Sequence, residues 1–308
     1  MDLIRSLSPS QTGASPTALA IGNFDGLHRG HQALIERVVA RGLDLLPALM
    51  CFEPLPMALF RPDRPPARLM GVADRLRWAR HYGIGRVFMP RFSRRFAAMP
   101  PEEFAVGLVA GAAAARHVVV GHDFRFGARA GGDVNLLMDF GARHGFSVEV
   151  VEPVCAGEDK VSSSAIRALL AEGALEQVRS LLGRRYSLSG RVLRGQQLGR
   201  LLGFPTVNLR PPSPPALHGV FAVRVHGPEL DAAPGVASLG RRPTVNGRDW
   251  LLEAHLFDYD GDLYGQRLEV EFIARLRGEE KFVDLDAMTR QMHDDARQAR
   301  RLLNQSSA

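Results

Sequence analysis

Cysteine and lysine are nearly missing from these 308 residues, with two of each. Cys51 and Cys155 lie in apolar, strand-like runs, which predicts two buried free thiols in a reducing compartment rather than a disulfide. Two cysteines are also too few for a zinc cluster. Neither Lys160 nor Lys281 stands in GxxxxGK[ST], which excludes a P-loop, and the protein-kinase motif set is absent. No apolar run is long enough to span a bilayer. Met1 to Ser10 lacks the apolar stretch of a signal peptide, so a cytoplasmic location with no membrane partner is expected. The formal charge of +6 rests almost wholly on arginine. Those arginines are scattered among acids, with no basic run or interleaved aromatic stripe. This speaks against nucleic acid and for small anionic ligands.

The length supports two domains, each able to bury its own core. Continuous apolar strands are predicted at Thr17–Gly22, Ala48–Phe52, Arg86–Met89, His117–Gly121 and Ser147–Val154. Helical patterns lie between them, at His31–Arg41, Val72–Tyr82, Pro101–Ala115 and Val134–His144. Apolar strands alternating with helices predict a parallel sheet covered on both faces. Two more helices follow, Ser164–Glu172 and Leu175–Leu182, with Gly173 and Gly183 as stops. Beyond Arg185 strand signals dominate: Tyr186–Leu193, Val220–Val225, Gly235–Leu239, Trp250–Phe257 and Gln266–Ala274. They predict an all-β barrel or sandwich, closed by a helix over Leu285–Leu303. The boundary is placed near Arg184, dividing the chain into 1–184 and 185–308.

The most informative segment is GNFDGLHRGH, Gly22 to His31. A strand ends at glycine, turns and opens a helix, whose free N–H groups and partial positive charge suit a phosphate. His28 and His31 add donors, Gly30 permits close approach, and Asn23 and Asp25 share the turn. Three other patches follow strands or open a helix. In CFEPLP the prolines hold an exit loop extended, for a ligand or merely for stiffness. In GHDFRFGARAGGD, Phe124 and Phe126 flank Arg125 in a glycine-rich loop, suited to stacking on a flat ring or to anchoring the loop. In SSSAIR the serines are natural helix caps, and Arg167, one turn in, is placed to close on phosphate oxygens.

In the second half, Gly195, Gly199 and Gly203 form a loop able to cover phosphates. Thr206 and Asn208 are two apart on an extended segment, so they face one way and offer hard oxygens to Mg²⁺. Alternation puts Glu253 on a face with Leu251 and Phe257, a costly place for an idle carboxylate. Glu253 is therefore a candidate general base, the alternative being a structural ion pair with Arg241 or Arg242. Glu269 and Glu271 fall opposite Leu268, Val270 and Phe272, as solvent-side residues should.

In order and wording these strings resemble the bacterial bifunctional riboflavin kinase/FAD synthetase family, and the HxGH turn resembles the nucleotidylyltransferase superfamily. The first half matches GNFDGxHxGH, FEPxP, GxDFxFGxxxxGD and, with Ser164-Ala165 as a departure, SSTxIR. The second matches GxVxxGxxLGRxLGFPTxN, GVF at Gly219–Phe221, GRRPTV at Gly240–Val245, LEAHLFD at Leu252–Asp258, GDLYG at Gly261–Gly265 and EEKFVDLDAM at Glu279–Met288. Phe221 stands where tyrosine is usual.

The resemblance implies a nucleotidylyltransferase-type, Rossmann-like parallel sheet followed by an all-β Greek-key barrel with a C-terminal helix. It implies an FMN adenylyltransferase (FAD synthetase) in 1–184 and a riboflavin kinase in 185–308, with riboflavin, FMN and ATP as substrates and Mg²⁺ as cofactor. By the same resemblance His28 and His31 hold ATP phosphates. Gly22, Asn23, Phe24, Asp25, Gly30, Ser163 and Arg167 complete that nucleotide site. Asp123, Phe124, Arg125, Phe126 and Gly127 meet the flavin. Thr206 and Asn208 bind Mg²⁺–ATP beneath Gly195, Gly199 and Gly203, and Glu253 activates the riboflavin 5′-hydroxyl. Two rivals stand beside this reading: an enzyme retaining one of the two activities, and a flavin- or RNA-binding regulator without turnover.

Overall fold

The computed structural model describes residues 1–6, 15–157, 159–194, 204–211, 213–244 and 247–305. The chain forms two compact units: residues 1–66 with 72–162, and residues 67–71 with 163–308.

The first unit is built on a parallel sheet of six strands: β1 (Asp2–Ile4), β2 (Thr17–Ile21), β3 (Leu46–Met50), β4 (Arg86–Phe88), β5 (Ala115–Gly121) and β6 (Ser147–Val151). Their spatial order is β1-β4-β3-β2-β5-β6. All of β2 is buried, as an apolar strand sandwiched between helical layers should be. The helices are α1 (Arg29–Val39), α2 (Pro56–Phe60), α3 (Val72–His81), α4 (Arg94–Ala97), a wide-turned π-helical stretch (Glu103–Ala112) and α5 (Val134–His144). Helix α1 buries Leu34, Ile35 and Val38, one stripe at helical spacing. Asp133 caps α5 by accepting from Leu136 N at 2.9 Å.

Strand β1 and the short helices α2 and α4 have no counterpart in the predicted elements, being too short to show a period. β1 is held at the sheet edge by its register with β4 and by Asp2 beside Arg86 at 3.2 Å. The cysteine expectation holds for Cys51, which is buried, and fails for Cys155, which is exposed. Cys155 lies beyond the apolar run of β6, in a separate two-stranded hairpin of β7 (Cys155–Ala156) and β8 (Asp159–Lys160).

The second unit opens with α6 (Ser163–Glu172) and α7 (Leu175–Leu182), ended by Gly173 and Gly183 at φ of +79° and +72°. Six antiparallel strands then close a barrel: β9 (Ser187–Leu193), β10 (Val207–Leu209), β11 (Gly219–Gly227), β12 (Leu230–Thr244), β13 (Gly247–Leu256) and β14 (Arg267–Arg277). Their order is β10-β13-β12-β11-β14-β9, and β9 also pairs with β10. The run β14-β11-β12-β13 is a Greek key, a meander whose fourth strand returns beside the first. Leu268, Val270 and Phe272 point into the barrel, as their alternation predicts. Helix α8 (Leu285–Gln305) lays Ala299 and Leu303 against Ala222, Phe257 and Ile273. Helices α6 and α7 group with the barrel, whereas the sequence reading groups them with 1–184. Arg275 Nη1 donates to Glu172 O at 2.9 Å across that packing. Among the described residues no helix is long and apolar enough to cross a membrane.

Candidate active sites

In the first unit the sheet changes winding direction at β2. From β2 the chain steps through β3 to β4 on one side and later fills β5 and β6 on the other. Ligands of open α/β sheets bind beyond the carboxyl ends of the strands at such a switch point. The loops leaving the two strands there, β2 and β5, are GNFDGLH and GHDFRFG, two of the patches singled out by sequence.

After β2 the backbone turns sharply, with Phe24, Gly26 and Leu27 at φ of +50°, +86° and +44°. Such strain in non-glycine residues collects at functional turns. Phe24 and Leu27 are wholly buried beneath the turn, and Asp25 is buried too. The Phe24 ring is thus a floor for the site, and only its backbone can meet a ligand. Gly22 is half-buried and Asn23 exposed.

His28 is the N-cap of α1, its Nδ1 accepting from His31 N at 3.3 Å. The two imidazoles stack with centroids 3.6 Å apart and planes 16° from parallel. A side chain on Gly30 would meet the His28 ring at 3.3 Å, so this glycine makes room for the imidazole pair as well as for a ligand. No acid lies in the first turn of α1, so its positive end is not neutralised from within the helix. Burial, then His28 and Arg75, hold the pKa of His31 well below its ordinary 6.5, so the ring is neutral at physiological pH.

Sequence reasoning missed Arg75. It comes from α3, a helix without chemical motif, yet its side chain is the largest wholly buried one among the described residues. It approaches the Cys51 thiol and lies 3.9 Å from Glu53, both in the CFEPLP patch after β3. Burial pushes the Cys51 thiol pKa up while Arg75 opposes, so Cys51 is no nucleophile at neutral pH.

The aromatic loop resolves into two roles. Phe126 is buried and anchors the loop against Phe104 at 5.4 Å. Phe124 is half-buried and stacks on Phe126 at 5.6 Å and 17°. The series continues through Phe104, Phe96 and Phe92 to the exposed Phe60, with Phe52 against both Phe96 and Phe92, neighbouring centroids lying 5.6–6.5 Å apart. Of this series Phe52, Phe124 and Phe126 stand in the patches singled out by sequence, the rest being scattered along the chain. Arg125 is exposed with Asp133 at 3.8 Å, and Gly127 packs on Pro101. Burial works against ionisation of Asp123, but the Lys160 ammonium at 3.1 Å brings its pKa below the usual carboxylate value.

Ser163 opens α6 in the second unit, and Arg167 Nε donates to Ala67 O at 2.6 Å. The guanidinium is thereby tied to the segment 67–71 of its own unit.

In the barrel, register places Asn208 directly opposite Glu253, and Glu253 directly opposite Ser238. Cross-strand partners project to one face, so Asn208, Glu253 and Ser238 form a polar row across β10, β13 and β12. The other face carries Leu209, Leu252, Ala254, Ala237 and Leu239, all buried. Glu253 shares its face with Leu251 as expected. Its other same-face neighbour is His255, because Phe257 lies beyond the strand and is buried beside Leu256, breaking the alternation. Glu253 is half-exposed on the outer surface, so the supposed burial penalty is not what marks it.

Phe204 packs against His255 at 4.9 Å and His293 at 4.7 Å, and His255 Nδ1 donates to Pro205 O at 2.9 Å. These contacts hold the segment leading to the half-buried Thr206. Arg241 lies over the Trp250 ring at 5.2 Å. Phe221 is wholly buried, edge-on to Phe272 at 5.2 Å, so its missing hydroxyl leaves no gap in polar pairing. Gly195, Gly199 and Gly203 lie outside the described residues.

Comparison with known proteins matches residues 10–165 to a family described as FAD synthetase and residues 182–303 to one described as riboflavin kinase. A bifunctional riboflavin kinase/FMN adenylyltransferase of Escherichia coli (strain K12) is 41% identical over 306 residues, covering 97% of each chain. One from Haemophilus influenzae is 37% identical over 313 residues, covering 99% of this chain and all of its own. A crystal structure from Streptococcus pneumoniae, described as a macrolide-efflux protein, is similar at TM-score 0.81 and 27% identity, covering 96% of this chain and 97% of its own. Matched end to end by proteins of both activities, the chain belongs to the bifunctional riboflavin kinase/FMN adenylyltransferase family.

Proposed function

We propose that this enzyme makes FMN and then FAD through two sites whose residues can be named. The barrel phosphorylates riboflavin with ATP, and the α/β sheet transfers AMP from a second ATP to FMN. The observation that carries the residue assignment is the stacked His28–His31 pair at the start of α1, whose first turn holds no acid, beside the sheet's switch point.

At that site the FMN phosphate oxygen attacks the α-phosphorus of ATP in line, and the bond to the β-phosphate breaks to release pyrophosphate. The nucleophile is already an anion, so no strong base is required. The work is positioning and neutralisation of crowded phosphates, by His28, His31 and the N–H groups of α1. Phe124, stacked on its anchor Phe126, offers a ring to the isoalloxazine, with Asp123, Arg125 and Gly127 around it.

In the kinase, Glu253 takes the proton of the riboflavin 5′-hydroxyl as that oxygen attacks the γ-phosphorus and ADP departs. Thr206 and Asn208 are the residues that would hold Mg²⁺. Their donors, a hydroxyl and an amide oxygen, fit a hard cation whose coordination is completed by water and phosphate. When bound, Mg²⁺ supplies charge neutralisation at the phosphates. We place the functional boundary at Arg184 and the enzyme in the cytoplasm, where its free cysteines stay reduced.

Chromatography of the products formed from riboflavin, ATP and Mg²⁺ tests this assignment. His31→Ala should stall at FMN, losing about 10²–10³-fold in FAD formation, the scale of one preorganised donor. Glu253→Ala should leave riboflavin unconverted yet still turn supplied FMN into FAD. Wild-type FAD formation by the first variant, or wild-type FMN formation by the second, refutes the corresponding site.

A further inference from the structure

Strand pairing on the outer face of the barrel stops one residue short of Thr206. β10 pairs with β13 from Val207, opposite Ala254, through Asn208, opposite Glu253, to Leu209. Pro205 has no N–H with which to carry that ladder further. His255 of β13 supplies a side-chain bond where the ladder ends. Its Nδ1 donates at 2.9 Å to Pro205 O, the carbonyl bonded directly to the Thr206 nitrogen. Continued by one residue, the register brings Thr206 opposite His255. Thr206 then shares a face with Asn208, two positions on, and His255 with Glu253, two positions back. Hydroxyl, amide, imidazole and carboxylate stand as two adjacent cross-strand pairs.

The orientation of the His255 ring is set on several sides. A carbonyl oxygen can only accept, so the shared proton is on Nδ1. Burial lowers the pKa of His255 below the ordinary 6.5, the bond to Pro205 opposing it, so the ring is neutral at physiological pH and Nε2 carries the lone pair. Phe204 stands edge-on to the ring with centroids 4.9 Å apart, and Phe204 is itself held by His293 of α8 at 4.7 Å. Phe257 closes edge-on from beyond the end of β13 at 5.8 Å. A ring gripped in this way has one orientation, and its hydrogen bond passes that orientation to the Pro205–Thr206 backbone.

We propose that His255 is a positioning residue of the riboflavin kinase site, which through Pro205 O holds Thr206 in fixed relation to Glu253. The phosphate-holding hydroxyl and the general base are thereby kept on the same reacting group. His255 touches no substrate. It acts through Thr206, and the proposal rests on the reading of Thr206 as a residue that holds Mg²⁺–ATP and of Glu253 as the base.

The test is performed on the full chain. Without ligands, imidazole ¹⁵N chemical shifts, assigned with His255→Phe, should show Nδ1–H at His255 at neutral pH. His255→Phe keeps a ring against Phe204 but cannot donate. Its FMN formation from riboflavin, ATP and Mg²⁺ should fall about 10–100-fold in kcat, the usual loss when a group that orients another is removed. It should need more Mg²⁺ to reach half its maximal rate, with the KM for riboflavin nearly unchanged. His255→Asn places an amide N–H near the position of Nδ1 and should recover part of both losses. FAD formation from supplied FMN should equal wild type in both variants. Added to Thr206→Val, His255→Phe should cost little more, because the group it positions is already gone.

Nε2–H at His255 in the wild type, undiminished FMN formation by His255→Phe, or a loss that His255→Asn does not lessen overturns the proposal. So does a loss that adds in full to that of Thr206→Val. If His255→Phe fails to fold, His255→Gln takes its place with the same expectations and the same refutations, its amide lying at the position of Nε2 instead of Nδ1. Wild-type FMN formation by Thr206→Val would instead sink the underlying reading of Thr206, whatever His255 holds in place.

Discussion

His31 carries a cost that depends on pH. Its folded pKa lies well below the ordinary 6.5, with burial the leading cause. The sign follows from linkage: below that ordinary value the unfolded chain binds a proton that the folded ring refuses. Stability is therefore fully present above about pH 6.5, the unfolded histidine value, and is lost as pH falls below it, by up to about 1.4 kcal/mol per pH unit for one group. Urea denaturation of wild type and His31→Gln between neutral and mildly acidic pH should show a shallower decline in the variant. Equal slopes would mean the ring titrates alike in both states. Residue identity alone marked the pair His28 and His31 as chemical. Which ring nitrogen is enclosed, and that Arg75 of α3 bears on the ring, depends on neighbours more than forty positions away.

At the scale of elements, α8 is tied to the barrel by charged contacts beside an apolar seam, and the Asp295 end of one of them is buried. Arg277 of β14 grips Asp295 with Nε at 3.0 Å from Oδ1 and Nη2 at 2.8 Å from Oδ2, and Gln291 adds a bond at 2.9 Å. Asp295 is buried, so its removal takes the closest counter-charge from the Arg277 guanidinium, leaving Gly278 O at 3.0 Å and Glu280 at 3.9 Å. Asp295→Ala should lower stability by about 3–5 kcal/mol, and the double replacement Arg277→Met with Asp295→Leu should recover most of that loss. Chemical denaturation of the three variants checks both statements; a double variant no better than the single would contradict them. The helix itself was legible from its period, and the structure adds its cap, Asp284 accepting from Ala287 N at 2.7 Å. That Asp295 faces a strand eighteen residues earlier was not.

At the scale of the molecule, α6 and α7 connect the two halves in sequence but pack with the barrel. Helix α7 buries Leu175, Val178, Leu181 and Leu182, and Glu172 at the end of α6 accepts from Arg275 of β14. A fragment starting at Ser163 should therefore melt at a higher temperature than one starting at Arg185, and both should be assayed for FMN formation. Coincident melting curves would show that the helices add nothing to the barrel. The functional boundary and the packing boundary thus answer different questions, since a motif records chemistry and a contact records burial.

Sequence by itself determined what is local. Period two at Leu268, Val270 and Phe272 made a strand, glycines 173 and 183 ended helices, and the wording of GNFDGLHRGH and of the strings around PTVN carried the resemblance to the family. Tertiary structure alone decided which strands became neighbours. It closed a barrel instead of a sandwich, set Asn208 across from Glu253, left Cys155 in the open and enclosed Arg75. The physical reason is that backbone periodicity arises within a few residues, whereas strand register and the burial of a charge are settled only when distant segments compete for the same interior.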